Sequence, residues 1–288
     1  MRPLVDVQGQ DVFVHQSLCS TPGDSVHDQL CRLLFFVGAL RDGGARRITV
    51  VAPYLCYMRK DQTTQPHDPV TTRYMATLFE AMGIDAVIAI DVHNRAAVQN
   101  AFRCPTALIS ALPALVDHVV DALAPEPQIT LLSPDIGGTK RVEAVRGHLS
   151  QRGIHGIETG FIEKYRRQNV MWGGTVVGPV ADRDIVLIDD LVSTGTTLVQ
   201  AAHACKAQGA RRVFAVVTHG VFAPEANETL SDPALHHLVV SDTLSPDRIP
   251  ESIRDTKVSV IETAPLLADA ISALHTEGPV VALPLRPR

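Results

Sequence analysis

The sequence predicts an α/β chain of two tandem domains, each a mainly parallel sheet flanked by helices. Short β-branched runs recur along the 288 residues, each followed by a polar or glycine-rich turn and then a longer stretch at helical spacing. The length corresponds to about two domains at the usual ~150 residues each. With 45% hydrophobic and 20% charged residues, the composition is that of a folded globular protein.

Taken in order, a strand is expected at residues 11–14. Residues 28–40 follow as a helix, because Leu30, Leu33, Leu34, Val37 and Leu40 fall close to a helical repeat. A strand at 48–52 leads to a second helix at 71–82, carried by Met75, Leu78, Phe79 and Met82, and then to a strand at 86–91. Strands at 129–133, 185–188, 213–218 and 238–240 complete the series. Three joints, at 38–51, 81–93 and 207–219, share a helix end, a glycine suited to the C′ position and a buried strand. The last two match most closely and suggest a duplicated half, although any two αβ units share some of that likeness. Phe102-Arg103-Cys104-Pro105-Thr106 and Ala124-Pro125-Glu126-Pro127 punctuate the chain. The boundary is expected near residue 107, giving domains 1–106 and 107–288.

Charge and cysteine usage exclude several classes. Lys and Arg number 26 against 31 Asp and Glu, for a net charge of −5, so a broadly basic nucleic-acid surface is not expected and an anionic ligand must meet local positive charge. The five cysteines are scattered and never spaced C-x-x-C, which argues against a zinc ribbon or disulfide framework and for the reducing cytoplasm. No apolar run approaches the ~20 residues of a spanning helix. The opening Met1-Arg2-Pro3-Leu4-Val5-Asp6 lacks the apolar region of a signal peptide, so no membrane partner is expected.

The strongest chemical signal is Val186-Leu187-Ile188-Asp189-Asp190-Leu191-Val192-Ser193-Thr194-Gly195-Thr196-Thr197-Leu198. An apolar strand ends in two carboxylates, and then small hydroxyl residues and glycine open the next helix. Such a turn wraps backbone N–H groups and hydroxyls round a phosphate, where the helix amino terminus favours negative charge. The two acids would repel that phosphate; sugar hydroxyls or a metal ion suit them better. An ordinary helix cap accounts for one Asp or Ser but not for the whole run.

Residues 189–197 resemble the phosphoribosyl diphosphate loop of type I phosphoribosyltransferase folds, and the wider pattern resembles the ribose-phosphate pyrophosphokinases. The supporting blocks are Ala52-Pro53-Tyr54-Leu55-Cys56-Tyr57-Met58-Arg59-Lys60-Asp61, Ile90-Asp91-Val92-His93, Ser133-Pro134-Asp135-Ile136-Gly137-Gly138-Thr139-Lys140-Arg141 and Glu163-Lys164-Tyr165-Arg166, all in the family's order. A simple transferase would supply only the loop; the other four blocks select the kinase. The resemblance implies two tandem type I phosphoribosyltransferase-like domains. It also implies transfer of the diphosphoryl group of ATP to the anomeric hydroxyl of ribose 5-phosphate with Mg²⁺, and a homo-oligomer, dimer or hexamer.

The resemblance further implies roles for single residues. Lys164 and Arg166 match the family's catalytic lysine and arginine on a mobile loop between Ile162 and Gly173. Phosphoryl transfer is chiefly positioning and neutralisation of spreading charge, so cations are its first requirement; a charge run standing alone is more often a solvated turn. Arg59 matches a nucleotide-contacting arginine, Lys60 replaces a common glutamine, and Asp61 completes that ATP-binding block. His93 matches a ligand of the nucleotide-bound metal and Asp135 a second metal ligand, although hard cations prefer oxygen to imidazole and a histidine capping the next turn is the alternative. Gly137-Gly138 beside Asp135 leaves the backbone open to close approach by a ligand. Asp189 and Asp190 would hold the ribose 2- and 3-hydroxyls, directly or through a metal, and Ser193, Thr194, Gly195, Thr196 and Thr197 the 5-phosphate. In-line alignment removes the need for a general base.

Besides Lys60, the sequence departs from the family pattern in three places. Members usually carry a longer segment, with an acidic Phe-Ser-Asp-Gly-Glu-type stretch, before the strand matched at 11–14, so a shortened first domain is expected. Ser193 stands where many members have Asp, and Thr196 where many have Gly. Two other functions remain open: a non-catalytic or regulatory synthetase-like subunit that binds ribose 5-phosphate, and a phosphoribosyltransferase, which would leave the blocks at 59–61 and 164–166 idle.

Overall fold

The structure, a computed structural model, describes residues 2–123, 128–167, 170–276 and 278, with side chains outside 164–173. The chain forms two units, Met1–Ser110 with Thr263–Arg288, and Ala111–Glu262.

The first unit runs β1 (Asp11–His15), α1 (Val26–Asp42), β2 (Arg47–Ala52), α2 (Thr71–Ala81), β3 (Ala86–Ile90), α3 (Arg95–Ala101) and β4 (Thr106–Ile109). Among the described residues its four strands are parallel and lie in chain order, β1-β2-β3-β4. Every right-handed crossover therefore steps the same way, and α1 to α3 fall on one face. There Leu33, Val37, Met75, Phe79 and Val98 of the helices pack on Ile48, Val50, Val87 and Ala89 of the strands. A capping box starts α1: Ser25 Oγ accepts the Asp28 N–H, and the Asp28 carboxylate accepts the Ser25 N–H.

The segment at 102–106 is the turn into the edge strand β4, which pairs with β3 from Val87↔Thr106 to Ile90↔Ile109, and the first unit runs on to Ser110, a few residues past the boundary expected near 107.

The second unit runs α4 (Leu112–Asp121), β5 (Ile129–Ser133), a 3₁₀ turn (Ile136–Gly138), α5 (Thr139–Gln151), β6 (Glu158–Arg167), β7 (Val170–Val177), β8 (Asp184–Val192), α6 (Thr196–Ala207), β9 (Arg212–Gly220), α7 (Ala226–Leu230), β10 (His237–Ser241), α8 (Glu251–Lys257) and β11 (Val258–Ile261). Among the described residues its seven strands are ordered β11-β10-β9-β8-β5-β6-β7, all parallel except the antiparallel pair β6–β7. Leu198, Ala202 and Cys205 of α6, Leu230 of α7 and Ile253 of α8 cover one face over Leu187, Val213 and Val217. α4 and α5 pack on the other face.

The chain expected as a loop between Ile162 and Gly173 runs largely as the strands β6 and β7, whose sequences Phe161-Ile162 and Thr175-Val176-Val177 favour a pleated pairing over an open turn. The side chains of Lys164 and Arg166 lie outside the described residues.

The last helix, α9 (Ala264–His275), belongs to the first unit, so the expected second domain, 107–288, ends at Glu262 instead. It is held by named contacts. His275 Nδ1 lies 2.9 Å from Asp11 Oδ2, the Arg47 guanidinium donates to Leu274 O at 3.1 Å, and the His275 ring meets Phe13 edge-on. Val14 faces the helices α1 to α3, so neighbouring Phe13, and with it α9, takes the opposite face. Among the described residues no helix is long and apolar enough to cross a membrane.

Candidate active site

In the second unit β5 and β8 are neighbours, paired from Ile129↔Asp184 to Leu132↔Leu187, yet the chain leaves them in opposite directions. β5 leads through α5 to β6 on one side, and β8 leads through α6 to β9 on the other. Such a reversal of strand order opens a crevice outside the carboxyl ends of the two strands, the usual ligand position in open α/β sheets. The turn after β5 carries Asp135, and the end of β8 carries residues 189–197.

The acidic pair is organised by Arg141, from the first turns of α5. Its Nη1 donates to Asp189 Oδ1 at 3.2 Å and its Nη2 to Asp190 Oδ1 at 3.0 Å, while Asp189 Oδ1 also accepts the Asp190 N–H at 2.8 Å. The Asp190 side chain is only 4% exposed, so an unpaired charge there would be costly. Burial, together with Asp190 beside it, pushes the Asp189 carboxyl above the usual carboxylate range, and Arg141 pulls the other way. One guanidinium thus holds two carboxylates side by side, an arrangement suited to accepting hydrogen bonds from vicinal hydroxyls.

Beyond Val192 the backbone turns through Gly195, at φ +82°, which is the N-cap of α6. As a glycine, this N-cap residue brings no side chain to cap the helix. The Thr194 and Thr196 hydroxyls lie 3.0 Å apart, and Thr194 Oγ1 accepts the Thr196 N–H at 3.4 Å. Ser193, Thr194, Gly195, Thr196 and Thr197 are therefore gathered at the amino terminus of a twelve-residue helix, where N–H groups and the helix dipole favour an anion.

Asp135 caps the 3₁₀ turn, its Oδ1 accepting the Gly138 N–H at 3.3 Å. Gly138 has a packing reason nearer than any ligand, since a Cβ there would lie 2.3 Å from Ser133 Oγ and 3.4 Å from Arg141 Nη1. The open backbone expected at Gly138 is filled by Ser133 and Arg141, and the exposed carboxylate of Asp135 remains the hard oxygen donor of this turn. Among the described residues no group of three or more His, Cys, Asp or Glu is gathered as a metal site.

The first unit brings the ATP-block residues together by two links. Asp61 Oδ2 accepts from Asn94 Nδ2 at 2.6 Å, and Asn94 also caps α3 by accepting the Ala97 N–H, so the 59–61 segment is tied to the turn that carries His93. Lys60 Nζ bonds Asp68 Oδ2 at 2.5 Å and Thr64 Oγ1 at 2.8 Å, which folds the 64–68 loop onto it. Lys60 and its loop partners hold Asp68 well below the usual carboxylate range. Arg59 and His93 are exposed. The backbone is left-handed at Tyr57 (φ 61°) and Asp91 (φ 39°), and both are tied down, Tyr57 Oη to His27 Nδ1 at 2.7 Å and Asp91 Oδ1 by Ser110 Oγ at 2.5 Å.

Residues 1–83 match the N-terminal domain of ribose phosphate pyrophosphokinase, and residues 167–283 the phosphoribosyl synthetase-associated domain. The ribose-phosphate pyrophosphokinase of Haemophilus ducreyi is 36% identical over 283 residues, covering 96% of this chain and 84% of that protein. The chain belongs to the ribose-phosphate pyrophosphokinase family. The pyrophosphokinase of Clostridium perfringens is 33% identical, with 96% and 83% covered. Among solved structures, phosphoribosylpyrophosphate synthetase from Mycobacterium smegmatis matches with a TM-score of 0.84 at 29% identity, over 96% of this chain and 86% of that one. The tandem phosphoribosyltransferase-like architecture expected from the sequence is thus that of a pyrophosphokinase.

Two features of the site escape the sequence. Arg141 lies inside a recognised block, but its partners Asp189 and Asp190 meet it only because β5 and β8 are neighbours. The packing beneath the loop comes from residues 220–230. The only local signal for it is the glycine at 195, which marks a close approach without naming what approaches.

Proposed function

We propose that the chain transfers the diphosphoryl group of ATP to ribose 5-phosphate, giving phosphoribosyl diphosphate and AMP, as a cytoplasmic homo-oligomer, dimer or hexamer, with Mg²⁺ and without nucleic acid or membrane partners. The observation that carries this reading is the crevice between β5 and β8, where an Arg141-held acidic pair stands beside an uncapped helix amino terminus.

In this reading Asp189 and Asp190 accept the ribose 2- and 3-hydroxyls. Residues 193–197 take the 5-phosphate, in the order a ribose 5-phosphate presents those groups. The anomeric hydroxyl oxygen attacks the β-phosphorus and loses its proton to water, the bond from the β-phosphorus to the bridging α-phosphate oxygen breaks, and AMP leaves with that oxygen. Holding sugar and nucleotide in line is the main requirement. Arg59 and Lys60 contribute charge for the triphosphate, with Asp61 fixing their segment through Asn94. Lys164 and Arg166 neutralise the transferring group. Asp135 suits Mg²⁺ as an oxygen ligand and His93 is a poorer one; a site with few protein donors matches an ion that takes most of its ligands from phosphates and water. When bound, Mg²⁺ would neutralise triphosphate charge.

The test is AMP formation by purified protein given ATP, ribose 5-phosphate and MgCl₂. Formation strictly dependent on ribose 5-phosphate supports the reading. Its absence at every protein concentration rejects it, and sugar-phosphate binding without nucleotide binding would point to a regulatory subunit.

A further inference from the structure

The chain that follows β9 runs beneath the hydroxyl loop. Val221 and Phe222 donate their N–H groups to Val192 O at 2.9 and 3.3 Å, and Ala223 donates to Ser193 O at 3.1 Å. Phe222 holds a left-handed backbone, φ 45°, which a bulky residue adopts only when its surroundings enforce it. Those surroundings are visible. The Phe222 ring is buried against Gly220, where a Cβ would come within 2.3 Å of ring carbon Cε2, and Arg248 Nε donates to Val221 O at 2.8 Å from the other side.

A second contact supports the tip of the loop. Leu230, 0% exposed at the end of α7, lies so close to Gly195 that a Cβ on the glycine would be 2.5 Å from Leu230 Cδ2. The carbonyl of Leu230 is itself fixed by the Lys257 ammonium at 3.0 Å. The position of the uncapped first turn of α6 is therefore set from below at two places, by backbone bonds at Val192 and Ser193 and by a methyl contact at Gly195.

We infer that Phe222 and Leu230 are positioning residues for the anion held by residues 193–197, acting through the backbone of Val192 and Ser193 and through Gly195. The inference rests on the reading that this loop holds the 5-phosphate. A loop that binds through N–H groups depends on where those groups point, and a sub-ångström shift weakens several charge-assisted bonds together. Both side chains are buried, so they act through the loop backbone. Their effect belongs in affinity for ribose 5-phosphate, not in nucleotide handling.

The experiment is calorimetric titration of the full chain with ribose 5-phosphate for the wild type, Leu230→Ala, Gly195→Ala and the double variant, with KM for ATP, kcat and melting temperature measured alongside. Leu230→Ala is expected to weaken ribose 5-phosphate about tenfold with KM for ATP unchanged. Gly195→Ala should weaken it further, because a side chain is strained at φ +82° and its methyl also meets Leu230. The double variant should bind at least about threefold better than Gly195→Ala, since removing the isobutyl group frees the space, a coupling that general destabilisation does not produce. Phe222→Leu, which keeps bulk but not the ring contact, should also raise KM for ribose 5-phosphate alone. Should Leu230→Ala fold poorly, Leu230→Val gives the same ordering at a few-fold amplitude. Unaltered affinity in the Leu230 variants, or a double variant no better than Gly195→Ala, overturns the inference. A wild type that fails to bind ribose 5-phosphate overturns the functional reading instead.

Discussion

The β1–α1–β2 segment of the first unit and β8–α6–β9 of the second are built alike at one end and differently at the other. In both, the first strand opens on an Asp that pairs in register with an Arg opening the second, Asp11↔Arg47 and Asp184↔Arg212, and Arg Nε reaches Asp Oδ1 at 2.8 and 3.0 Å. Both helices end on a left-handed glycine, Gly44 and Gly209, with the residue after it bonded back five positions. A last-turn cation, Arg41 or Lys206, then donates to the next carbonyl, Ala45 O or Ala210 O, at 3.1 or 3.3 Å. At the other end α1 closes its amino terminus with its own carboxylate, Asp28, whereas α6 carries no acid in its first turn and no side-chain cap. The difference separates scaffold from site: the same αβ unit is finished with a charge of its own in one half and left ready for an anion in the other.

The largest effect that would break this contrast is loss of the acidic pair beside α6. Asp189→Ala is expected to weaken ribose 5-phosphate about a hundredfold and leave ATP affinity unchanged, because charge-assisted hydrogen bonds to the sugar are lost and Arg141 keeps only Asp190. Calorimetry with each ligand separately is the check. Equal affinity in the variant would remove the pair from the sugar site.

The shared end makes a prediction about stability. Asp184 is fully buried and held by two guanidiniums, Arg211 and Arg212, whereas Asp11 has one, Arg47, with His275 beside it. Burial pushes the Asp184 carboxyl up, and the two arginines more than offset it, leaving it at about 2 against an ordinary 3.8. A depressed folded value means that this stabilisation is fully present above the unfolded pKa and disappears as pH falls through the folded one. Asp184 should therefore contribute about 2 kcal/mol that is lost between about pH 4 and pH 2. Asp184→Asn should cost about 3 kcal/mol at pH 7 and flatten the acid limb of denaturant-derived stability, and Asp11→Asn should cost less. Equal costs for the two would show that the second arginine adds nothing.

How much of this was legible in the sequence follows from range. Strands β2, β3, β5, β8, β9 and β10 stood out because each is a buried run of Val, Ile, Leu and Ala bounded by turn residues. β4 was hidden by its four-residue length behind Pro105, and β6 with β7 by their charged centre. The likeness of the joints at 81–93 and 207–219 proved unspecific, since Gly44, Gly83, Gly153 and Gly209 all make the same turn with the same two bonds. What distinguishes the duplicated-looking units is the Asp–Arg pair, whose partners are 36 and 28 residues apart. In the site, the hydroxyl loop was legible because its groups are consecutive. Arg141 and Leu230 were not, because both reach the loop through sheet order.

A smaller effect sharpens the contrast by making α6 resemble α1. Thr197→Glu places an acid in the first turn of α6, as Asp28 sits in α1. It should raise the melting temperature slightly through the helix dipole while weakening ribose 5-phosphate about tenfold by repulsion. A variant that binds as the wild type would mean that the phosphate does not rest on this turn.

The smallest expected effect is the reverse exchange. Ser25→Ala removes the side-chain acceptor for the Asp28 N–H in α1 and leaves the Asp28 carboxylate with only the Ser25 N–H of its two present partners in the box. The Ser25 hydroxyl and backbone hold the Asp28 carboxyl below its usual range, so the box is a charge-assisted one, but it is exposed to water and correspondingly weak. Loss of the cap should lower the melting temperature by about 2–4 °C with ribose 5-phosphate affinity unchanged. Placed beside Thr197→Glu, this pair of variants separates the two uses of a helix amino terminus. One end carries a stability term that no ligand reads, and the other exchanges a small gain in stability for a loss of binding. A fall in sugar-phosphate affinity in Ser25→Ala would show that the capped end of α1 also serves a ligand, and that the division between scaffold and site runs elsewhere.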